Sequence, residues 1–373
     1  MKICILSVAP PYRGGIAEQT HYMSLNLEKH NDVDIINFKR QYPNFLFPGK
    51  TQYEDSSKYN LDNNYRLIDT MNPLSWGRAA KFIISKSPDL IILRFWNPFF
   101  SISYSAIIKK IKRALPAIKI IAVCDNIIPH ERNPFDRQLI NLLFPKIDGF
   151  IVMSSQVEDE LMDIQPNAKY RKLFHPIAFK EQIYNKKTAR NKLKINNEKV
   201  ILFFGFIRSY KGLDILIRAN KELSDNLRDY KIIICGESYE NKDKYIDMIS
   251  KFSSNNQIEW INKYIPQDIA SMYFAASDVV VLPYRSASQS GVIPLSYSYE
   301  RPVIVSNIVG ISQMVEDKKT GFLFDKNNHH DLSEKIIEFF DSNNDFKNNI
   351  IQFREQFSWE YFIKGILDFH ESL

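Results

Sequence analysis

The sequence predicts two doubly wound α/β domains in tandem, each a parallel sheet covered by helices on both faces. Three observations carry that prediction. Short apolar runs alternate with segments of helical apolar spacing from one end of the chain to the other. The length, 373 residues, exceeds what one hydrophobic core ordinarily fills. A polar, basic and weakly periodic stretch after Pro176 interrupts the alternation near its middle.

Strands in the first half are expected at Lys2–Val8, Val33–Phe38, Leu90–Phe95, Ile118–Cys124 and Gly149–Met153, each a continuous apolar run of the kind a strand buried on both faces requires. Between them, apolar residues recur at helical spacing over Ile16–Glu28, Gly77–Ser85, Ser103–Leu115 and Asp136–Leu143. The boundary is placed near residue 178, giving domains 1–178 and 179–356. In the second half the strands are Val200–Phe204, Lys231–Cys235, Ile258–Trp260, Val279–Leu282, Val303–Val305 and Gly321–Phe324. The closing stretch 357–373 is an amphipathic helix with Trp359, Phe362, Ile363, Ile366 and Leu367 on one face.

Composition narrows the class. With 45% hydrophobic and 25% charged residues the chain reads as an ordinary globular protein. Cys4, Cys124 and Cys235 are far apart and lie in or at the end of apolar runs, the pattern of reduced core thiols in a cytoplasmic protein. The apolar start Ile3–Val8 is too short for a secretion signal, and no run approaches the roughly 18 residues that span a bilayer. The net charge of +6 belongs wholly to the first half: residues 1–178 hold 23 Lys and Arg against 17 Asp and Glu, the remainder 26 against 26. That asymmetry points to an anionic partner or surface. Without zinc-finger spacing, a basic helix-turn-helix or RNP-like aromatics, nucleic acid is not expected.

Candidate site residues cluster where strands run into loops. Val200–Phe204 ends on Gly205, a helix begins near Gly212, and Arg208 and Lys211 fall between. A helix N-terminus already carries positive character, so two added cations repel unless an anion binds there; a solvated basic loop is the other reading. Gly14 and Gly15 open the first loop, where backbone can approach a ligand closely or simply turn tightly. Ser288, Gln289, Ser290 and Gly291 are small or polar residues at the start of another expected helix, suited to gripping phosphates. Asp32-Val33-Asp34 has metal-binding spacing but sits at a strand start, and His175, His329 and His330 read as structural or surface residues. Phe95, Trp96, Phe99, Phe100 and Tyr104 precede Lys109, Lys110, Lys112 and Arg113, which suits either a peripheral membrane contact or a core helix with a solvated basic face.

Several stretches in order resemble the nucleotide-sugar glycosyltransferases of GT-B fold, in particular the large retaining family 4, glycosyl transferases group 1. They are "PPYRGGIAEQ", "FFGFIRSYKGLDILIRA", "IIICGE", "YIPQDIASMYFAASDVVVLPYR", "ERPVIVSNIVGISQMVEDKKTGFLF" and the terminal "FSWE" helix. The resemblance covers almost the whole chain. It implies two Rossmann-like domains facing each other across a cleft, acceptor binding in the first and donor binding in the second, with the last helix packing back on the first. It implies sugar transfer from a nucleoside diphosphate to a glycan or lipid-linked acceptor, with retention, without a metal or other cofactor, in cell-envelope polysaccharide synthesis at the inner face of a membrane.

The family pattern maps the catalytic roles to Arg208, Lys211, Asp125 and His130; Asp125 stands where most relatives carry histidine. Donor contacts map to Gly14, Gly15, Gly205, Gly236, Glu237, Ser288, Gln289, Ser290, Gly291 and Glu316, and acceptor contacts to Tyr12, Arg13, Trp96 and Asn97. Two glutamates usual in relatives, one near the sugar and one on the ribose, are replaced here by Ala287 and Leu295. That departure motivates a second reading, a catalytically silent protein that binds a glycan or a partner enzyme. A third, an epimerase of the same fold, would need the carboxylates that are missing.

Overall fold

The computed structural model describes residues 1–42, 52–53, 62–129, 133–178, 184–253 and 257–373. The chain divides into two compact units, Met1–Pro176 with Trp359–Leu373, and Ile177–Ser358.

The first unit is built on a seven-stranded parallel sheet of β1 (Lys2–Leu6), β2 (Asp32–Arg40), β3 (Asn64–Asp69), β4 (Leu90–Phe95), β5 (Lys119–Cys124), β6 (Gly149–Val152) and β7 (Tyr170–Lys172), in the order β3-β2-β1-β4-β5-β6-β7. Connections from β1 run first to one side and then to the other, so the order reverses between β1 and β4. Side chains alternate between two cores, as strand geometry requires. Cys4, Leu6, Ile91 and Leu93 face one core with α2 (Pro73–Lys86) and α3 (Ser101–Ala114). Ile3, Ile5, Leu90 and Ile92 face the other, with α1 (Gly15–Leu27) and the last helix, Trp359–Glu371. That helix buries Trp359, Phe362, Ile363, Ile366 and Phe369. A Cβ on Gly149 would lie 2.6 Å from the Phe369 ring, so β6 lacks a side chain where the helix presses on it.

Three sequence expectations change here. The edge strands β3 and β7 carry too little apolar character to be read as strands, because an edge is half solvated. Helix α2 starts four residues before Gly77, because Asn72 accepts a hydrogen bond from the Leu74 amide at 3.1 Å and Pro73 takes the first helical position. Of the aromatics ahead of the basic helix, Phe95, Phe100 and Tyr104 are buried around Phe38 and Trp96 and Phe99 are half-buried, so they form core and no lipid-facing patch.

The second unit has a six-stranded parallel sheet of β8 (Lys199–Phe204), β9 (Tyr230–Cys235), β10 (Ile258–Ile261), β11 (Val279–Leu282), β12 (Val303–Ser306) and β13 (Gly321–Phe324), ordered β10-β9-β8-β11-β12-β13. Its order reverses between β8 and β11, and it repeats the winding of the first sheet. Ile201, Phe203, Ile232, Ile234, Val279 and Val281 pack against α7 (Leu213–Asn226) and α12 (His329–Asp341). In both units, then, the strands expected from apolar runs are present. Doubly wound sheets bind ligands outside the carboxyl ends of the strands where the order reverses, which singles out the loops after β1 and β4 in one unit and after β8 and β11 in the other.

Candidate functional site

In the second unit the loop after β8 is held by its neighbours through glycines. A Cβ on Gly212 (φ +66°) would lie 1.9 Å from the Pro283 carbonyl oxygen, and one on Gly310 would lie 1.7 Å from that of Ala287. A Cβ on Gly236 would lie 2.0 Å from the Gly205 carbonyl oxygen. The loops after β8, β9, β11 and β12 thus meet backbone to backbone. Arg285 reinforces the meeting. Its guanidinium donates to both carboxylate oxygens of Asp214 at 2.8 and 2.7 Å and to the Ser209 carbonyl at 2.7 Å. Glu240 accepts from the Ser209 amide at 2.5 Å.

Within this frame the chain sets two cations with no counter-charge among the described residues. Lys211 ends a short 3-10 turn, and its ammonium reaches back over Gly205, where a Cβ would lie 2.8 Å from Nζ, and stands 5.6 Å from the centre of the Tyr284 ring. No hydrogen bond or ion pair to Nζ exists among the described residues. Burial first, and the neighbouring Arg208 second, lower its pKa from the ordinary lysine value. Arg208 lies exposed over the Tyr239 ring, 5.0 Å from its centre, likewise without a carboxylate among the described residues. A half-buried ammonium beside a guanidinium is an arrangement that a bound anion would relieve.

Beside the cations lies a cavity of about 280 Å³ lined by Phe204, Gly205, Gly236, Glu237, Tyr264 and Leu295 among others. Phe206 and Tyr264, both on its wall, stack with centres 6.3 Å apart and planes 29° apart, and Tyr239 meets Phe206 edge-on at 4.9 Å. Aromatic faces around an apolar hollow suit a flat heterocycle. Gly205, Gly236 and Glu237 therefore meet at one place. Ser288, Gln289 and Gly291 lie in the loop after β11; Ser290 is buried, and its hydroxyl accepts from the Val292 amide at 3.3 Å. Glu316 departs from expectation. It lies in the turn that enters β13, at the amino ends of the strands, and so away from the loops that follow β8, β9, β11 and β12.

The first unit's equivalent region is differently charged. Gly14 (φ +121°) caps α1 and Gly15 opens it, both with open space where a Cβ would stand, so this turn leaves room for a ligand. At the ends of β4 and β5, Arg94 and Asp125 form a two-point ion pair, the Nε–Oδ2 distance being 3.1 Å, with side-chain exposures of 2% and 9%. Asp125 is thus committed to Arg94 and does not stand as an unengaged base or hydrogen-bond partner for a sugar. His175 lies in the field of this pair, and burial together with Arg94 lowers its pKa, keeping the imidazole neutral. His130 lies outside the described residues.

Tyr12, expected at the acceptor, is 1% exposed; its ring packs 4.9 Å from that of Tyr53, with the Arg66 guanidinium 5.4 Å away, so it serves the core. Arg13 is exposed, Trp96 is half-buried against Phe100 at 4.7 Å, and Asn97 is occupied in capping a turn through the Phe99 amide at 2.9 Å. Asp32 and Asp34 sit at the amino end of β2, with Asp34 paired to Lys86 at 3.2 Å, far along the strand from its carboxyl end. Sequence reasoning missed Arg94 and the aromatic wall. Tyr264 could have been found, since it follows the apolar run of β10 and hence lies at the ligand-binding end of the sheet.

Comparison with known proteins fits this geometry. Residues 185–356, nearly all of the second unit, match the family described as glycosyl transferases group 1. Over its full length the chain is 26% identical to an uncharacterised glycosyltransferase of Methanocaldococcus jannaschii, covering 99% of that protein. A D-inositol 3-phosphate glycosyltransferase of Corynebacterium aurimucosum is 27% identical over 180 residues, 46% of this chain and 42% of that one. Among solved structures, a glycosyltransferase from Rickettsia africae superposes with a TM-score of 0.72 at 18% identity, covering all of this chain and 98% of the other. Anabaena HepE in complex with UDP superposes with a TM-score of 0.71 at 16% identity, covering both chains completely. The chain is accordingly a glycosyltransferase with the two-sheet GT-B fold, and the match to glycosyl transferases group 1 lies in its second unit.

Proposed function

We propose that this glycosyltransferase moves a sugar from a nucleoside-diphosphate donor bound in the second unit to a glycan or lipid-linked acceptor bound in the first. Transfer proceeds with retention, as in the retaining family 4, and without a metal at the diphosphate. One observation carries the reading: the half-buried Lys211 ammonium, lying over Gly205 beside Arg208, has no counter-charge among the described residues. When the bond from the anomeric carbon to the diphosphate breaks, its electron pair goes to the leaving phosphate oxygen. Two fixed cations there stabilise the growing charge more than the ground state, which is what accelerates the step.

The cavity walled by Phe206, Tyr264 and Leu295 would take the base and ribose, and the Anabaena relative's UDP makes uridine the first base to test. Asp32 and Asp34 lie at the amino end of β2, and Asp34 is already paired to Lys86. Exposed Lys109, Lys110 and Arg113 on α3, with exposed Met71 and Leu74 at the start of α2, support a lipid-linked acceptor and work at the inner face of a membrane in cell-envelope polysaccharide assembly.

The test is a thermal-shift screen of UDP, GDP, ADP, CMP and their sugar conjugates with EDTA present, on the wild type and on Arg208→Ala with Lys211→Ala. A shift for one nucleoside diphosphate that survives EDTA and vanishes in the double variant is expected, followed by NMR of the product's anomeric configuration. No shift for any nucleotide would overturn the donor site and leave the silent, glycan-binding reading that Ala287 and Leu295 suggest.

A further inference from the structure

Away from these loops, on the face of the second sheet covered by α7 and α12, three side chains converge without a role in sugar transfer. Glu222 comes from the last turns of α7, and His329 and His330 open α12. One ligand atom from each lies within 4.8 Å of the other two. The Glu222 Oε1 oxygen is 2.9 Å from His330 Nδ1 and 3.7 Å from His329 Nδ1, and the imidazole rings are 4.1 Å apart at 38°.

A plain glutamate–histidine pair explains part of this. It leaves two buried atoms, Glu222 Oε2 and His329 Nδ1, without a hydrogen-bond partner among the described residues. Buried polar atoms are nearly always partnered, so orphans on two adjoining ligands of one cluster need a reason. The chemistry of the set supplies one. Two imidazoles and a carboxylate are the ligands of a borderline divalent ion, and with bonds of about 2.0–2.2 Å, neighbouring donor atoms in a tetrahedral site sit roughly 3.4 Å apart. The 2.9 and 3.7 Å spacings straddle that value. Arg218 lies one turn before Glu222 on α7. Arg218 itself is stacked over Phe252, 5.6 Å from the ring centre.

We propose that Glu222, His329 and His330 form a site for one divalent transition-metal ion, with Zn²⁺ the best chemical match, that clips α12 to α7. Glu222 is nine residues along α7 from Leu213, roughly 14 Å from the helix end that follows Lys211. The ion therefore serves the helix pair and takes no part in transfer. A chelator would loosen this unit without touching the chemistry at the diphosphate.

The test uses the full chain without a histidine tag, stripped of metal, with Zn²⁺ titrated against an indicator dye, Co²⁺ followed by its visible spectrum, and melting recorded with and without Zn²⁺. One equivalent of Zn²⁺ should bind, Co²⁺ should give tetrahedral d–d bands, and Tm should rise by several degrees at saturating Zn²⁺. His330→Ala removes an exposed side chain, so it should abolish binding and the Zn²⁺-dependent rise while leaving the metal-free Tm close to wild type. Glu222→Gln should also abolish both, and the nucleotide-induced shift should persist in each variant. Absence of saturable binding at tens of micromolar Zn²⁺, or binding unchanged in both variants, would overturn the proposal.

Discussion

The two sheets are wound alike, yet the carboxyl ends of their strands at the order reversals are electrostatic opposites. At the end of β4 an arginine is neutralised inside the protein: Arg94 holds Asp125 in a buried two-point pair. After β8 an arginine and a lysine are brought together and left unpaired among the described residues, with the lysine half-buried against its own backbone. The same fold solution therefore gives one structural ion pair and one standing demand for an anion. Topology locates a site, and the pairing of the charges placed there decides whether it serves the fold or a ligand.

The contrast can be broken at either end. Arg94→Ala leaves Asp125 buried without its partner and should cost about 3–5 kcal/mol in urea unfolding of the wild type against the variant. Replacing both residues with apolar ones of similar volume should recover much of that loss. Lys211→Ala should act on rate and spare stability, lowering kcat for sugar transfer about 10²- to 10³-fold with unfolding unchanged. An equal fall in stability would mean that Lys211 belongs with Arg94 as a fold residue. Gly212→Ala attacks the frame that aims the lysine. With positive φ and the Pro283 oxygen in the way, it should cost about 3 kcal/mol and weaken nucleotide binding together. A well-folded variant with normal binding would refute the interlocked loops.

Two smaller effects sharpen the comparison. Leu295→Glu restores a carboxylate on the cavity wall and should tighten nucleoside-diphosphate binding about tenfold, as one good hydrogen bond to a charged group allows; unchanged affinity would place the ribose elsewhere. Because burial depresses the Lys211 pKa below its ordinary value of 10.5, the unfolded chain holds a proton that the folded one releases between those two values. Ligand-free stability should rise with pH across that window by more in the wild type than in Lys211→Met, read from urea midpoints over the alkaline range. Identical slopes would mean that the ammonium is solvated.

Much of this was legible without coordinates. Leu90–Phe95, Val279–Leu282 and the helix Asp136–Leu143 were read to the residue, because a central strand or an amphipathic helix writes its burial into its own periodicity. The first sheet's edge strands Asn64–Asp69 and Tyr170–Lys172 were not, since their mixed polar residues, half-solvated in the fold, lack that signature. Arg208 and Lys211 were found from their place between a strand and a helix, whereas Glu316 was assigned to the wrong end of the sheet and Tyr12 to a surface it does not reach.

What the sequence by itself determined is the local and the periodic: which segments are strands, where the glycine loops fall, and that cations stand after β8. Tertiary structure alone decided the pairings. Asp125 meets Arg94 across two strands, Lys211 folds back over Gly205, Leu295 joins Tyr264 around one cavity, and Glu222 meets two histidines more than a hundred positions away. The physical reason is that burial of a segment is encoded in its own residues. The partner of a charge, which sets whether that charge is neutral structure or available chemistry, depends on which distant elements the sheet order brings alongside.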